Sequence, residues 1–180
     1  MIRMKKAKES VVTLEIATVE ELSEIKADMQ AAFAAGAAAC LGDASPEKIP
    51  SDQDMEESFH APHTVVWRIL SDGQPAGGAV LLIDEHTQQN ALEFFYVNAG
   101  THNNGIGLKA WQAIEKKYPK TKRWETFTPC FEKRNINFYV NKCGFQIVEY
   151  FNPYHMDAEQ SMQGRPEEEF FRFEKIMPGQ

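Results

Sequence analysis

The sequence has few cysteines, no long apolar run and no concentration of positive charge. The three cysteines, Cys40, Cys130 and Cys143, stand far apart without CxxC or Cys/His spacing, which fits a reducing cytoplasm and predicts no zinc site. No apolar segment reaches the roughly 18 to 20 residues that cross a bilayer. A net charge of −7 without a basic stripe argues against nucleic acid as the main partner. We therefore expect a cytoplasmic protein without a metal site or a membrane segment.

The composition is that of a folded globular domain. The 180 residues are 43% hydrophobic and 25% charged, which is enough apolar material for one core. No repeat or linker divides the chain, so we expect a single domain over residues 1–180, with a frayed terminus over residues 1–9. An acidic surface also tolerates a cationic substrate.

Hydrophobic periodicity predicts alternating strands and helices. Strands are predicted at residues 10–16, 64–70, 77–83, 91–97, 123–128, 145–151 and 170–176. Helices are predicted after the first strand, over 52–59, from 105 to 118 and over 131–143. The middle of the chain contains a βαβ unit, which implies a parallel pair of strands within a mixed sheet.

The segment from Val97 to Gly107 links a buried strand directly to a helix and contains three glycines. A helix start offers free backbone N–H groups and the positive end of the helix dipole. Glycine lets an anion approach the backbone closely, although a strand-to-helix turn also uses glycine for its geometry alone. The segment suits a pyrophosphate, yet its spacing is neither that of a Walker A loop nor that of the dinucleotide fingerprint.

This segment resembles the acetyl-CoA signature of the GNAT N-acetyltransferase family, Arg/Gln-x-x-Gly-x-Gly/Ala at a strand-to-helix turn. Here the signature reads His102, Asn103, Asn104, Gly105, Ile106, Gly107. His102 departs from the usual Arg or Gln. A second segment, residues 135–145, is similar to the family's helix-to-strand motif, in which a Phe-Tyr pair precedes Gly-Phe. The resemblance covers nearly the whole chain. It implies an α/β fold with a mixed, mostly antiparallel sheet of six to seven strands, a splayed central parallel pair and flanking helices.

The resemblance implies acetyl-CoA as co-substrate and direct transfer to an amine in a ternary complex. In the family, the strands on either side of the phosphate helix splay apart, and the pantetheine arm pairs with strand backbone. Here that backbone would lie near Phe95, Tyr96 and Val97. The ligand would satisfy peptide groups that the splay leaves unpaired. Asn135 is a further candidate for contact with the pantetheine arm.

Tyr139 and Glu93 are the candidate catalytic residues. Tyr139 aligns with the tyrosine that acts as the acid in many family members, and a phenol pKa of about 10 is close enough to that of a thiol to protonate the leaving thiolate. The alternative is a tyrosine that only packs against the cofactor. Glu93 is the one charge in an apolar strand, so we expect it buried on the face of Phe95 and Val97, where burial favours a general base. An ion pair at the strand end is the alternative for Glu93, and Glu125 is the fallback base.

The acceptor is left open by the sequence. An acidic stretch at residues 52–57 lies where the family builds its acceptor site and could attract a polyamine, but it also fits a solvated helix face. A small-molecule amine and a peptide both remain possible acceptors. The resemblance is also compatible with a homodimer. The alternative from another class is an acyl-CoA-binding sensor with weak catalysis. A third is an enzyme that modifies macromolecules, such as a protein N-terminus.

Overall fold

A mixed seven-stranded sheet forms the centre of the protein. The computed structural model describes residues 10–42, 50–98, 100, 105–156 and 169–179. The strands are β1 Val12–Ile16, β2 Thr64–Ser71, β3 Gln74–Leu82, β4 Gln89–Val97, β5 Arg123–Pro129, β6 Gln146–Phe151 and β7 Phe170–Ile176. Their order is β1-β2-β3-β4-β5-β7-β6, and only the β4–β5 pair among these strands is parallel. The predicted mixed sheet with a central parallel pair is confirmed.

Helices flank this sheet. They are α1 Leu22–Leu41, entered through a 3₁₀ turn, then α2 Asp52–His60, α3 Ile106–Lys117 and α4 Lys133–Asn137. The chain continues from α4 into a π-helical turn, Phe138–Cys143, so the single helix predicted over 131–143 is two elements. Gly144 ends the turn in the left-handed conformation, at a φ of 80°, as glycine does after many helices. None of the helices in the described ranges is both long and apolar enough for a membrane span.

The two faces of β3 build two different cores because successive side chains of a strand point to opposite faces. Val80 packs with α1 and α2, in a cluster with Met29 and Met55. Leu81 packs on the other face against α3, in a cluster with Trp111 and residues of β5 and β7. Since both Val80 and Leu81 are fully buried, this part of the sheet lies between two apolar layers.

One end of the β4–β5 pair is fixed by a buried polar side chain. Asn90 donates through Nδ2 to Thr121 Oγ1 at 2.7 Å and accepts from the backbone N–H of Asp84 at 2.9 Å. These bonds satisfy a buried amide and tie β4 to the loop that precedes it and to the loop that precedes β5. The paired end of the two strands is thereby held closed.

Candidate active site

A split opens between β4 and β5 a short way along the two strands. They pair only at Gln89–Arg123, Asn90–Trp124 and Ala91–Glu125. One residue further, the Leu92 carbonyl accepts a hydrogen bond from Thr126 Oγ1 at 2.8 Å. A side chain thus takes the place of the next ladder bond, and in the described part of the chain no pairing of β4 with β5 follows it. The edge of β4 beyond Leu92 is open to a ligand.

The open edge belongs to the three residues whose backbone was predicted to pair with pantetheine. Phe95, Tyr96 and Val97 are bonded to β3 on one side and face the split on the other. Phe95 and Val97 pack their side chains on the α3 face of the sheet, whereas Tyr96 packs with α1 and α2. The side chains therefore leave the backbone edge uncovered.

The strand β4 carries a bulge at Glu93. The register with β3 shifts between Val80 and Leu81, which leaves Glu93 as the extra residue. Glu93 is exposed, so the prediction that it is buried is wrong. The alternation that placed it on the face of Phe95 also fails across the bulge, because Leu92 and Phe95 both pack against the α3 side of the core. The charge of Glu93 therefore stands at a kink in the strand beside the split.

Tyr139 lies in the wall of the split, on the π-helical turn. It is only 6% exposed, and its ring packs against Phe145 and Phe173 with centroids 5.6 and 5.7 Å apart. Burial raises the pKa of the Tyr139 phenol, the nearby Cys143 raises it further, and a hydrogen bond with Thr126 acts in the opposite direction. The phenol is consequently neutral at physiological pH and sits beside the hydroxyl that bridges the two strands.

Asn135 lies half-buried on α4, four residues before Tyr139. The α-helix ends at Asn137 and the π-helical turn begins at Phe138. The spacing of four that would align two side chains on one α-helical face therefore crosses the junction between two helix types.

The start of α3 borders the mouth of the split. Gly105 precedes the helix with a φ of 70°, a conformation that favours glycine. Gly107 lies against Phe138, because a Cβ there would be 3.3 Å from Phe138 Cε2. Phe138 in turn stacks on Phe95, with ring centroids 5.7 Å apart. Ile106 is buried beneath the helix. The other predicted pyrophosphate ligands lie outside the described residues: His102, Asn103 and Asn104.

A buried carboxylate that we did not predict precedes α4. Glu132 is 7% exposed, and a Cβ on Gly36 of α1 would lie 3.3 Å from its Oε1. Burial raises the pKa of the Glu132 carboxyl, which the charge of Arg134 partly opposes. Among the described residues the carboxylate has no hydrogen-bond partner. In the sequence, Glu132 belongs to a charged run that is typical of a helix start. The sequence feature that could have indicated its burial is Gly36, the glycine within the alanine-rich α1.

Other candidate groups have structural partners or the wrong protonation state. Glu125, the fallback base, accepts a hydrogen bond from Arg172 at 3.0 Å. Burial raises the pKa of the Cys143 thiol to about 12, so it is no nucleophile at neutral pH. No group of three or more His, Cys, Asp or Glu side chains in the described ranges is arranged to hold a metal ion.

The acidic stretch on α2 is engaged in local contacts. Asp54 accepts from Ser51 in a capping box, and Asp52 accepts from Gln30 at 2.7 Å. Glu56 pairs with Lys26 across to α1 at 2.6 Å. These carboxylates hold α2 and its start in place, which favours the helix-face interpretation over a polyamine site.

Comparison with known proteins agrees with this geometry. The model of the Acetyltransferase (GNAT) family matches residues 29–145. The uncharacterized protein YrkN of Bacillus subtilis (strain 168) is 49% identical over 97% of this chain and 98% of its own. The fold is similar to that of the ribosomal-protein-S18-alanine N-acetyltransferase from Escherichia coli, with a TM-score of 0.66 at 13% identity over 94% of this chain and 97% of that one. The PaiA N-acetyltransferase from Thermoplasma acidophilum, in complex with coenzyme A, gives a TM-score of 0.66 at 16% identity over 93% of this chain and 99% of that one. This chain belongs to the acetyltransferase (GNAT) family.

Proposed function

We propose that the protein is an N-acetyltransferase that moves the acetyl group of acetyl-CoA directly to a primary amine of a small molecule or peptide. The observation that carries the proposal is the split between β4 and β5, with an unpaired strand edge on one side and the Tyr139 phenol in its wall. We propose that residues 1–180 form one catalytic domain that acts in the cytoplasm.

Two parts of the site would hold acetyl-CoA. The pyrophosphate would bind in the segment of residues 102–107 at the start of α3, where backbone N–H groups of a helix start and the positive end of the helix dipole attract an anion. The pantetheine arm would pair with the open edge of β4 from Phe95 to Val97, with Asn135 as a further contact. Support comes from the solved structure of the similar PaiA enzyme, which contains coenzyme A.

The chemistry requires a base, an oxyanion donor and an acid. An alkylammonium group with a pKa of about 10.4 must lose a proton before it attacks the thioester. Glu93 would accept that proton through a water molecule, because it is exposed at the bulge beside the split. A backbone N–H near Val97 would stabilise the oxyanion, and Tyr139 would protonate the leaving thiolate.

The assignment of Glu93 is tested by the pH dependence of kcat/KM. Glu132 supplies a matched comparison, because it is a second carboxylate, buried rather than exposed, at the start of α4. Glu93→Gln should abolish the acidic limb of the profile, whereas Glu132→Gln should retain it. If Glu93→Gln keeps the parental limb and Glu132→Gln loses it, the base is Glu132.

The reaction itself is tested by thiol release from acetyl-CoA over a panel of amines. The panel contains diamines, polyamines, amino acids, aminoglycosides and peptides with free N-termini. We expect turnover well above the enzyme-free rate with at least one class. Acetyl-CoA binding without turnover on any amine would contradict the proposal. It would favour the acyl-CoA-binding sensor, for which the deep burial of the Tyr139 phenol is the favouring observation.

A further inference from the structure

A small cleft lies on the opposite side of β4 from α3, between the start of α1 and the ends of β2, β3 and β4. Three carboxylates line it, from Glu21, Glu24 and Asp28. Arg68 of β2 and Tyr96 of β4 also line the cleft. The cleft is separate from the split between β4 and β5, yet Tyr96 belongs to both, since its backbone borders the split and its side chain lies in the cleft.

The Tyr96 side chain is buried with its hydroxyl at the cleft. It is 5% exposed, and its ring lies over Gly78, where a Cβ would be 2.7 Å from Cε1 and 3.1 Å from the hydroxyl oxygen. Only a glycine on β3 leaves room for this placement. Burial raises the pKa of Tyr96, and the charges of Asp28 and Glu24 raise it further. The hydroxyl therefore stays neutral and faces those carboxylates.

This hydroxyl has no hydrogen-bond partner among the residues that the structure describes. It is not one of the fully buried side-chain atoms that lack a partner in the described part of the chain, so it can be reached from the cleft. The hydroxyl oxygen is therefore placed to accept a hydrogen bond from a group that enters the cleft.

The charges of the cleft favour a cation. Arg68 donates to Glu21 at 2.5 Å and lies 4.0 Å from Glu15, so its charge is balanced on its own side. Asp28 and Glu24 stand one helical turn apart, where like charges repel. In the described ranges neither forms an ion pair. The space between them and Tyr96 is the most negative part of the cleft.

We propose that this cleft binds a primary alkylammonium group. The cleft has room for about one group of the size of a water molecule, which is also the size of an ammonium. An ammonium carries three donors, and the site offers the Asp28 carboxylate, the Glu24 carboxylate and the Tyr96 hydroxyl oxygen as acceptors. The identity of this group rests on the proposed function. It is the ammonium at the far end of a diamine or polyamine whose other amine reaches the thioester.

The site is tested first by binding alone. Calorimetric titration of 1,4-diaminobutane at fixed ionic strength is compared across the parent protein, Asp28→Asn, Tyr96→Phe and the control Glu85→Gln, which removes an exposed carboxylate elsewhere. We expect Asp28→Asn to weaken binding about tenfold and Tyr96→Phe about threefold, with Glu85→Gln close to the parent. Both test variants keep the shape of the side chain, and circular dichroism checks their fold. Equal affinity in all four proteins would overturn the site.

Steady-state kinetics then show whether the bound ammonium belongs to the acceptor substrate or to a separate effector. If it is the far end of the acceptor, Asp28→Asn raises the KM for 1,4-diaminobutane and leaves that for n-butylamine nearly unchanged. If diaminobutane instead binds through Asp28 while changing the kcat for n-butylamine, the ligand is a separate effector and the acceptor assignment is overturned. If no amine is acetylated, the proposed function fails while Asp28-dependent binding still supports the cation site.

Discussion

The two halves of the sheet, β1–β4 and β5–β7, are stabilised by different interactions. The first half lies between apolar layers, with α1 and α2 on one face and α3 on the other. The second half buries Trp124 and Phe173 on one face. Its opposite face buries Phe151 at the end of β6 and otherwise carries an ion-pair network. The network is formed by Arg123, Glu125, Glu149, Arg172 and Glu174.

This difference explains how the split between the halves can remain open. Each half has its own stabilising contacts, so neither depends on a long β4–β5 ladder. They are joined by three paired positions, by the buried Asn90, by the Thr126 bond to Leu92 and by the apolar cluster that Leu81 shares with Trp124 and Phe173. A ligand site between two strands then costs only the ladder bonds that the ligand itself can replace.

The largest effect is expected where the apolar half is truncated. Leu81→Ala removes a fully buried side chain beneath α3 and should lower the free energy of unfolding by about 2 to 5 kcal/mol. Ile176→Ala, at the exposed end of β7, should change it by less than about 0.5 kcal/mol. Urea unfolding of both variants checks the pair. Equal losses would mean that burial does not distinguish the two positions.

The connection between the halves should be next in size. Thr126→Val keeps the shape of the side chain but leaves the buried Leu92 carbonyl without its bond, at a cost of about 1 to 3 kcal/mol. Thr13→Val, on the exposed part of β1, is the matched control and should be nearly neutral. Both are measured by urea unfolding. Unaltered stability of Thr126→Val would show that this bond does not join the halves.

Tyr139→Phe, in the wall of the split between the halves, should change catalysis more than stability. If Tyr139 is the acid, turnover should fall by about tenfold or more with little change in acetyl-CoA affinity. Tyr154→Phe is the control, because Tyr154 is fully exposed. Steady-state kinetics and a separate acetyl-CoA titration give the two quantities. Parental turnover in Tyr139→Phe would leave the tyrosine a packing role only.

Local features of the fold could be predicted from the sequence because they depend on nearby residues. The turn at Asp72 and Gly73 has φ values of 50° and 80°, as an Asp-Gly hairpin turn requires. Gly144 ends its helix as predicted. Strand β7 has the predicted bounds, since its alternation is uninterrupted.

Features that depend on distant residues were missed. The bulge at Glu93 exists only in the register of β4 with β3, and it changed the expected burial of the proposed base. The π-helical turn inserts Tyr139 into a core with Trp124 of β5, Phe145 and Phe173 of β7, which local propensity does not encode. Glu132 is buried because α1 presents Gly36 to it. The site therefore differs from its prediction where two elements meet.

The smallest effect is expected in the ion-pair network of the second half. Arg172→Gln removes the group that bonds Glu125, Glu149 and Glu174, and should lower the free energy of unfolding by up to about 1 kcal/mol at low salt. The loss should shrink as added salt screens the charges, whereas the loss in Leu81→Ala should not. Lys120→Gln, an exposed position with the same change of charge, is the control.

The pH dependence of the same variant gives a second measurement. Hydrogen bonds from His155 and then Arg172 hold the pKa of Glu149 below its ordinary value. A lowered folded pKa contributes stability above the unfolded value, about 4.3, that is lost as the pH falls through the folded value. The stability difference between the parent and Arg172→Gln should therefore diminish below about pH 4. A loss independent of both salt and pH would mean that Arg172 stabilises this face by packing its aliphatic stem, and the contrast between the halves would disappear.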